Sequence, residues 1–435
     1  MEYWNDGFLL KLDPLFHPSN IPSFRLKGVS MDSQTWMMLS EKYVAHTYAR
    51  YPILLVKGKG TRVWDMDGRE YLDFVAGLAV CNLGHCHPKV VKAIQDQAEK
   101  LIHVSNFYYI EPQIQLASLL CQHSFADKVF FCNSGAEANE GAMKLARKYA
   151  KEKMEGDRYE IITMERSFHG RTLATLTATA QKKFHKGYSP LMPGFKYIPF
   201  NNIEAVKNAI DSKTCALMLE PIQGEGGVNC PSEGYLKGLR EICDEKGILL
   251  IFDEVQVGMG RTGKLFAYEH DGVEPDMMTL AKSLAGGVPI GALLIKKGIA
   301  ESFEPGDHAS TFGGNPLATA AGVAALTAIL EEGMLENCRK VGSYFFDRLK
   351  EVKKKFPFIQ EVRGKGLILG MELKMDGSSI VKEMMQKGFL INCTMGNVLR
   401  FLPPLIVTKE EVDQVVEALE EVFKGIASHE KGIWV

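Results

Sequence analysis

The chain has 435 residues, 46% of them hydrophobic and 24% charged, with a formal net charge of -2. That length exceeds one ordinary core and implies two or three domains, while the near-neutral balance argues against a nucleic-acid or anionic-membrane binder. Nine cysteines without a CxxC pair fit reduced thiols in a cytoplasmic protein rather than a disulfide framework, and no apolar run is long enough to span a bilayer.

Residues 1–30 lack the basic start and continuous apolar core of a secretory signal. They carry Glu2, Asp6 and Asp13, which an organellar transit peptide avoids. This segment is expected to be loosely ordered, or an upstream extension with Met31 as the native start. Met37 to Ala49 reads as a short amphipathic helix. Tyr51 to Leu72 reads as strands of a small antiparallel unit. The stretch Val75 to Pro88 ends in GHCHP, where His85, Cys86 and His87 invite a metal reading. Adjacent residues on a turn rarely converge on one ion. Pro88 instead suits the first turn of the helix that follows, so no metal site is expected.

Lys128 to Met154 reads KVFFCNSGAEANEGAMKLARKYAKEKM: a strand, a turn at Asn133, Ser134 and Gly135, and a long helix from Ala136. Ser134 suits an N-cap, Gly135 admits a close ligand, and free N–H groups at a helix start attract phosphate. The turn is thus a phosphate cup or merely a capped helix. A strand at Ile161–Met164 leads to a loop with Phe168, His169 and Arg171; an aromatic there can cover a flat ring and an arginine can clamp a carboxylate. Ala216–Ile222 is another buried strand, followed by QGEGGV with Glu225, and Tyr235–Lys246 reads as a helix. Such alternation predicts a doubly wound, mostly parallel sheet.

Ile248 to Phe252 is a run of five apolar residues that ends at Asp253, and Met277 to Ala281 likewise delivers Lys282. In parallel sheets the carboxyl ends of strands border the ligand crevice. A desolvated lysine there is partly neutral and can condense with a carbonyl, and an acid beside it can keep a pyridine nitrogen protonated. The pair suits pyridoxal phosphate; a plain core salt bridge is the alternative. A strand at Gly291–Lys296 follows, then Ser310 and Thr311 before two glycines and a helix from Pro316. Leu335 to Ile426 alternates helices and strands as a second α+β domain. Arg400 interrupts its last apolar strand, where a charge needs an anionic partner or a ligand.

With NSGAEANE, SFHGRT, LEPIQGEGG, FDEVQ, LAKSLAGG, STFGGNP and VLRFLPP in this order, the chain resembles the class III aminotransferases of pyridoxal-phosphate fold type I, over roughly Met37 to Ile426. That resemblance implies a large domain with a mostly parallel doubly wound sheet, residues 81–330. It also implies a smaller α+β domain built from both chain ends, residues 37–80 and 331–430, behind an extension at 1–36. It places Ser134, Gly135, Ala136, Phe168, Asp253, Glu254, Val255, Gln256, Lys282 and Thr311 at the cofactor. Lys282 carries it, Asp253 meets its ring nitrogen, Gln256 its ring hydroxyl, and Thr311 reaches the phosphate in the neighbouring subunit of a homodimer with shared sites. Arg171, Glu225, Ser310 and Arg400 fall to the substrate, with Arg171 on the carboxylate of a long amine donor, Arg400 on the carboxylate beside a keto group, and Glu225 neutralising Arg400 between the two.

The branch with the most similar segments acts on the terminal amine of N2-acetylornithine with 2-oxoglutarate. Ornithine-specific relatives carry a tyrosine where this chain has Leu78, and succinylated substrates such as succinyldiaminopimelate stay open. Mutase or decarboxylase branches depart around Arg171 and Arg400, and an idle homologue used for binding is at odds with the intact Lys282.

Overall fold

The computed structural model describes residues 31–431, so the expectations for residues 1–30 lie outside it. These residues form two units, 31–56 with 65–68, and 57–64 with 69–431. In the first, the helix runs Ser33–Tyr43 rather than from Met37 to Ala49. Asp32 fixes the earlier start by accepting the Thr35 N–H at 2.8 Å. Beyond Tyr43 come Val44, His46, Thr47 and Tyr48, all weak helix formers.

The second unit is organised by a seven-stranded sheet. In spatial order its strands are Lys128–Cys132, Gly291–Ile295, Met277–Leu280, Leu249–Asp253, Thr214–Leu219, Glu160–Met164 and Phe195–Ile198. All run parallel except Gly291–Ile295, which is antiparallel to both neighbours. Both faces are covered, as the continuous apolar runs require. Leu217, Leu219, Leu250 and Phe252 face a core that includes Leu236 and Leu239 of the helix Tyr235–Lys246. Ala216, Met218, Leu249 and Ile251 face the opposite way, onto Ala142, Leu145 and Ala146 of the helix Gly135–Lys153.

A second sheet pairs Arg62–Asp65 antiparallel with Glu70–Asp73, and Phe389–Leu390 joins the latter in parallel. The segment FLINCT is divided between two sheets. Asn392–Thr394 belongs to a third sheet with Val398–Phe401, Ile368–Leu373 and Ile359–Lys365, all antiparallel. The helices Met334–Lys355 and Lys409–Lys431 contribute Phe345, Leu349, Val415 and Leu419 to the core around it. Pro88 occupies the first turn of the helix Pro88–Lys100. His85 pairs with Asp73 and His87 with Glu332, so the two histidines of GHCHP diverge. No cluster of metal-ligating side chains occurs among the described residues. No single described helix is long and apolar enough to cross a membrane.

Phe252 is fully buried in the middle of the sheet. Phe252→Ala is expected to cost about 3–5 kcal/mol, read as a lower urea midpoint for unfolding.

Candidate active site

The carboxyl ends of the six parallel strands share one edge of the sheet, and the loops that leave five of them carry chemistry. The reversed strand brings its amino end to the same edge, so Gly287 to Ile290 close the remaining side. The result is a pocket of about 420 Å³ lined by Ser134, Gly135, Ala136, Phe168, Arg171, Glu225, Asp253, Val255, Gln256 and Lys282, among others.

At one end lies Asp253, the last residue of its strand and almost fully buried. One carboxylate oxygen accepts the Val255 N–H at 3.0 Å; the other accepts from Asn139 Nδ2 at 2.8 Å and from His169 Nδ1 at 2.7 Å. Asn139 is itself fixed, accepting from Thr279 Oγ1 at 2.7 Å and donating to the His169 carbonyl at 2.7 Å. Burial would lower the His169 pKa, but the hydrogen bond and charge of Asp253 outweigh it and hold the imidazole above its usual value. The two oxygens of the buried carboxylate thus have three donors between them. Sequence reading placed His169 on the loop and left Asn139 unassigned. Its signal is the spacing of Asn139 one turn into the helix that Ser134 caps.

Lys282 begins a short 3₁₀ turn directly after its strand, with a left-handed φ of 44°. A non-glycine residue there is uncommon and is tolerated where surrounding structure imposes it. Burial, and then the nearby Arg400 charge, push its pKa down to about 8. It makes no ion pair with Asp253, the salt bridge left open from the sequence. The amine is thus available for reaction with a carbonyl group.

The third element is the start of the helix Gly135–Lys153. Ser134 Oγ accepts the Glu137 N–H at 3.2 Å, while the first turn's other N–H groups have no helical acceptor. A Cβ on Gly135 would lie 2.7 Å from Val255 Cγ1, so glycine is what lets the turn and the Val255 loop meet at the pocket. Phe168 flanks the space, its N–H held at 3.0 Å by Glu220, whose other oxygen takes the Gly224 N–H at 3.2 Å. Burial pushes the Glu220 carboxyl up to about 7. This brace between two loops had no role in the sequence reading, since Glu220 follows its strand without a distinguishing pattern.

Arg400 is fully buried and meets Glu225 at 3.0 Å, Asn392 at 3.0 Å and Gln256 at 3.3 Å. Its Nη2 is buried with no partner. The partner required by a charge inside an apolar strand is therefore Glu225. Gln256 approaches so closely that a Cβ on Gly224 would fall 1.8 Å from its Oε1.

A family model described as Aminotransferase class-III matches residues 43–423. The chain is a class-III aminotransferase. An acetylornithine aminotransferase of Methanocaldococcus jannaschii is 56% identical over 396 residues, covering 91% of this chain and 100% of that one. Another, from Caldanaerobacter subterraneus subsp. tengcongensis, is 58% identical over 387 residues, 89% and 98% of the two chains. Among solved structures, the ornithine aminotransferase from Toxoplasma gondii ME49 superposes with a TM-score of 0.88 at 37% identity, covering 92% of this chain and 96% of that one. Acetylornithine aminotransferase from Elizabethkingia anophelis gives 0.82 at 36% identity, covering 91% and 100%.

Not every residue expected at the aminotransferase site is gathered into its pocket. Glu254 turns away: its carboxylate accepts the Ala267 and Tyr268 N–H groups at 2.6 and 2.8 Å, and burial pushes it up to about 8. Arg171 lines the pocket but is exposed, its guanidinium 3.9 Å from the Phe184 ring centroid and 5.3 Å from that of Phe168. Ser310 accepts from Asn133 Nδ2 and the Gly313 N–H, both at 3.0 Å. Thr311 is exposed, and neither it nor Ser310 lines the pocket.

In the cofactor-free protein, reductive methylation at Lys282 should rise as pH passes through about 8 and then level off. Exposed lysines should still be gaining reactivity near pH 10 to 11, about their ordinary pKa. Residue-resolved mass spectrometry across this range checks the difference.

Proposed function

We propose that this aminotransferase holds pyridoxal 5'-phosphate and moves the terminal amino group of N2-acetylornithine to 2-oxoglutarate, giving N-acetylglutamate 5-semialdehyde and glutamate in arginine biosynthesis. The donor set fits the cofactor. Asp253 provides an anion for a ring nitrogen and Lys282 an amine for an aldehyde. The turn at Ser134, Gly135 and Ala136 offers N–H donors for a phosphate, and Phe168 and Gln256 border the space for a ring. When bound, the cofactor supplies an electron sink for the pair left on the substrate carbon as its proton departs.

The chain's own residues do the rest. Neutral Lys282 Nζ takes the proton from the substrate carbon and later returns it. Asn139 and His169 hold the Asp253 carboxylate in place. The observation that carries the substrate reading is the Arg400–Glu225 pair at 3.0 Å. With it closed, Arg400 is neutralised and a donor that has no carboxylate beside its reacting carbon can enter, its distant carboxylate going to Arg171. With Glu225 displaced, Arg400 receives the carboxylate next to the keto group of 2-oxoglutarate. One pocket thereby serves two substrates without leaving a buried charge unpaired. Leu78 is 41% exposed and offers no polar group to a free α-amine, which favours an acylated donor. The Methanocaldococcus and Caldanaerobacter relatives are named acetylornithine aminotransferases, which supports this reading.

Thr311 and its exposed neighbour Phe312 lie off their own chain's pocket, which supports a homodimer in which Thr311 completes the partner subunit's site. All nine cysteines are free, as suits a cytoplasmic enzyme.

Steady-state kcat/KM with 2-oxoglutarate should be highest for N-acetylornithine, with ornithine and succinyldiaminopimelate each at least about tenfold poorer, as an unmatched polar or bulky end costs 1–3 kcal/mol. An ornithine preference overturns the Leu78 reading, and equal rates on both acylated donors give a dual-substrate enzyme. Lys282→Ala should keep the far-ultraviolet spectrum of the wild type and lose at least about 10³-fold in turnover; wild-type rates from it overturn the mechanism.

A further inference from the structure

Four consecutive residues, Ala76, Gly77, Leu78 and Ala79, have φ of 48°, 64°, 65° and 63°, and the chain returns to φ -94° at Val80. This is a full left-handed turn in which only Gly77 is a glycine. L-residues disfavour that conformation at each position, and it normally occurs singly. Something must impose it, and the structure shows what. Asp73 Oδ1 accepts the N–H groups of Val75 and Ala76 at 2.8 and 3.0 Å, fixing the entry to the turn. Asp73 Oδ2 meets His85 Nε2 at 2.7 Å.

His85 is held in its turn by its backbone. Its N–H donates to the Gly60 carbonyl at 2.7 Å and its carbonyl accepts the Gly60 N–H at 3.0 Å. A Cβ on Gly58 would lie 2.7 Å from the His85 Cβ. The hydrogen bond to Asp73, with help from the Cys81 side chain, raises the His85 pKa to about 10, so the imidazolium and carboxylate stay paired through neutral pH. The turn's two alanines are fully buried, Leu78 is 41% exposed, and Val80 lines the pocket.

We propose that Asp73 and His85 are positioning residues that clamp the Ala76–Ala79 turn in its left-handed form, and that this turn sets the pocket-lining Val80 and the exposed Leu78 beside it where the amine donor enters. The inference rests on the amine-donor reading given under Proposed function. Strain held this way fixes the direction of the Leu78 side chain more firmly than a relaxed loop does. Without the clamp the turn relaxes, Leu78 and Val80 leave their places, and the donor loses contact. Ala79 packs with Ile222, Val228, Val257 and Leu402, but Asp253 and the Arg400–Glu225 pair are fixed by hydrogen bonds in which the turn takes no part.

The test compares wild type, His85→Ala, Asp73→Asn and the double variant His85→Ala/Ala79→Gly as cofactor-loaded enzymes. KM is measured for N-acetylornithine, or for ornithine where wild type prefers it, and separately for 2-oxoglutarate. His85→Ala is expected to raise the donor KM about tenfold and to leave the 2-oxoglutarate KM within about twofold, because the turn meets one substrate and not the other. Asp73→Asn keeps an amide oxygen for the two N–H groups and is expected to give a smaller rise, about threefold. Adding Ala79→Gly should return the donor KM to within about threefold of wild type, since glycine takes the left-handed conformation unaided. An unchanged donor KM in both His85→Ala and Asp73→Asn overturns the clamp. So does a loss shared equally by both substrates that Ala79→Gly does not repair. The wild-type donor preference tests the Proposed function separately, because the clamp is read with whichever donor the wild type uses.

Discussion

The site depends on how one buried carboxylate is held. Asp253 ends a strand buried on both faces, where a polar group must find hydrogen-bond partners. Three donors supply them: the Val255 N–H, Asn139 and His169. Each comes from a different part of the chain, so one carboxylate ties a strand end, a helix and a loop together. Lys282, which follows the adjacent strand, is buried without a dedicated partner for its ammonium, and its pKa falls to about 8. A fully hydrogen-bonded acid and a readily neutral amine thus share one environment.

The same logic governs the far side of the pocket. Arg400 is a full charge inside the third sheet, and its neutralisation comes from Glu225, which arrives on a loop of the seven-stranded sheet. That loop is held from the third sheet too. Arg363 donates to the carbonyls of Gly227 and Val228 at distances from 2.7 to 3.1 Å, and Thr394 Oγ1 donates to the Glu225 carbonyl. In the proposed exchange the pair would open by rotation of a side chain whose backbone is tied down.

Much of this was legible in the sequence because apolar runs announce buried strands and the residues that terminate them. Asp253, Lys282 and the cap at Ser134 all follow such runs, and Arg400 was conspicuous by interrupting one. Other features leave no such mark. The reversed direction of Gly291–Ile295 is invisible, since an apolar strand reads the same whichever way it lies. Asn139 resembles any polar residue on a helix, and Glu220 any acid after a strand. The left-handed turn at Ala76–Ala79 runs against residue preference, so local propensity could only have missed it. Glu254 was drawn into the site by adjacency to Asp253, whereas alternation along the chain turns its side chain the other way.

The reversed strand also bears on how the protein comes into being. Lys128–Cys132, which delivers Ser134, does not touch the other parallel strands; it is joined to them only through Gly291–Ile295. The strand before this helix start is made early in synthesis, yet it gains its neighbour in the sheet only when Gly291–Ile295, made much later, slots in beside it. A chain ending before that strand holds the helix by its packing and by Asn139 but leaves Lys128–Cys132 unpaired. Closure of this side of the pocket, by Gly287 to Ile290, is accordingly a property of the completed sheet.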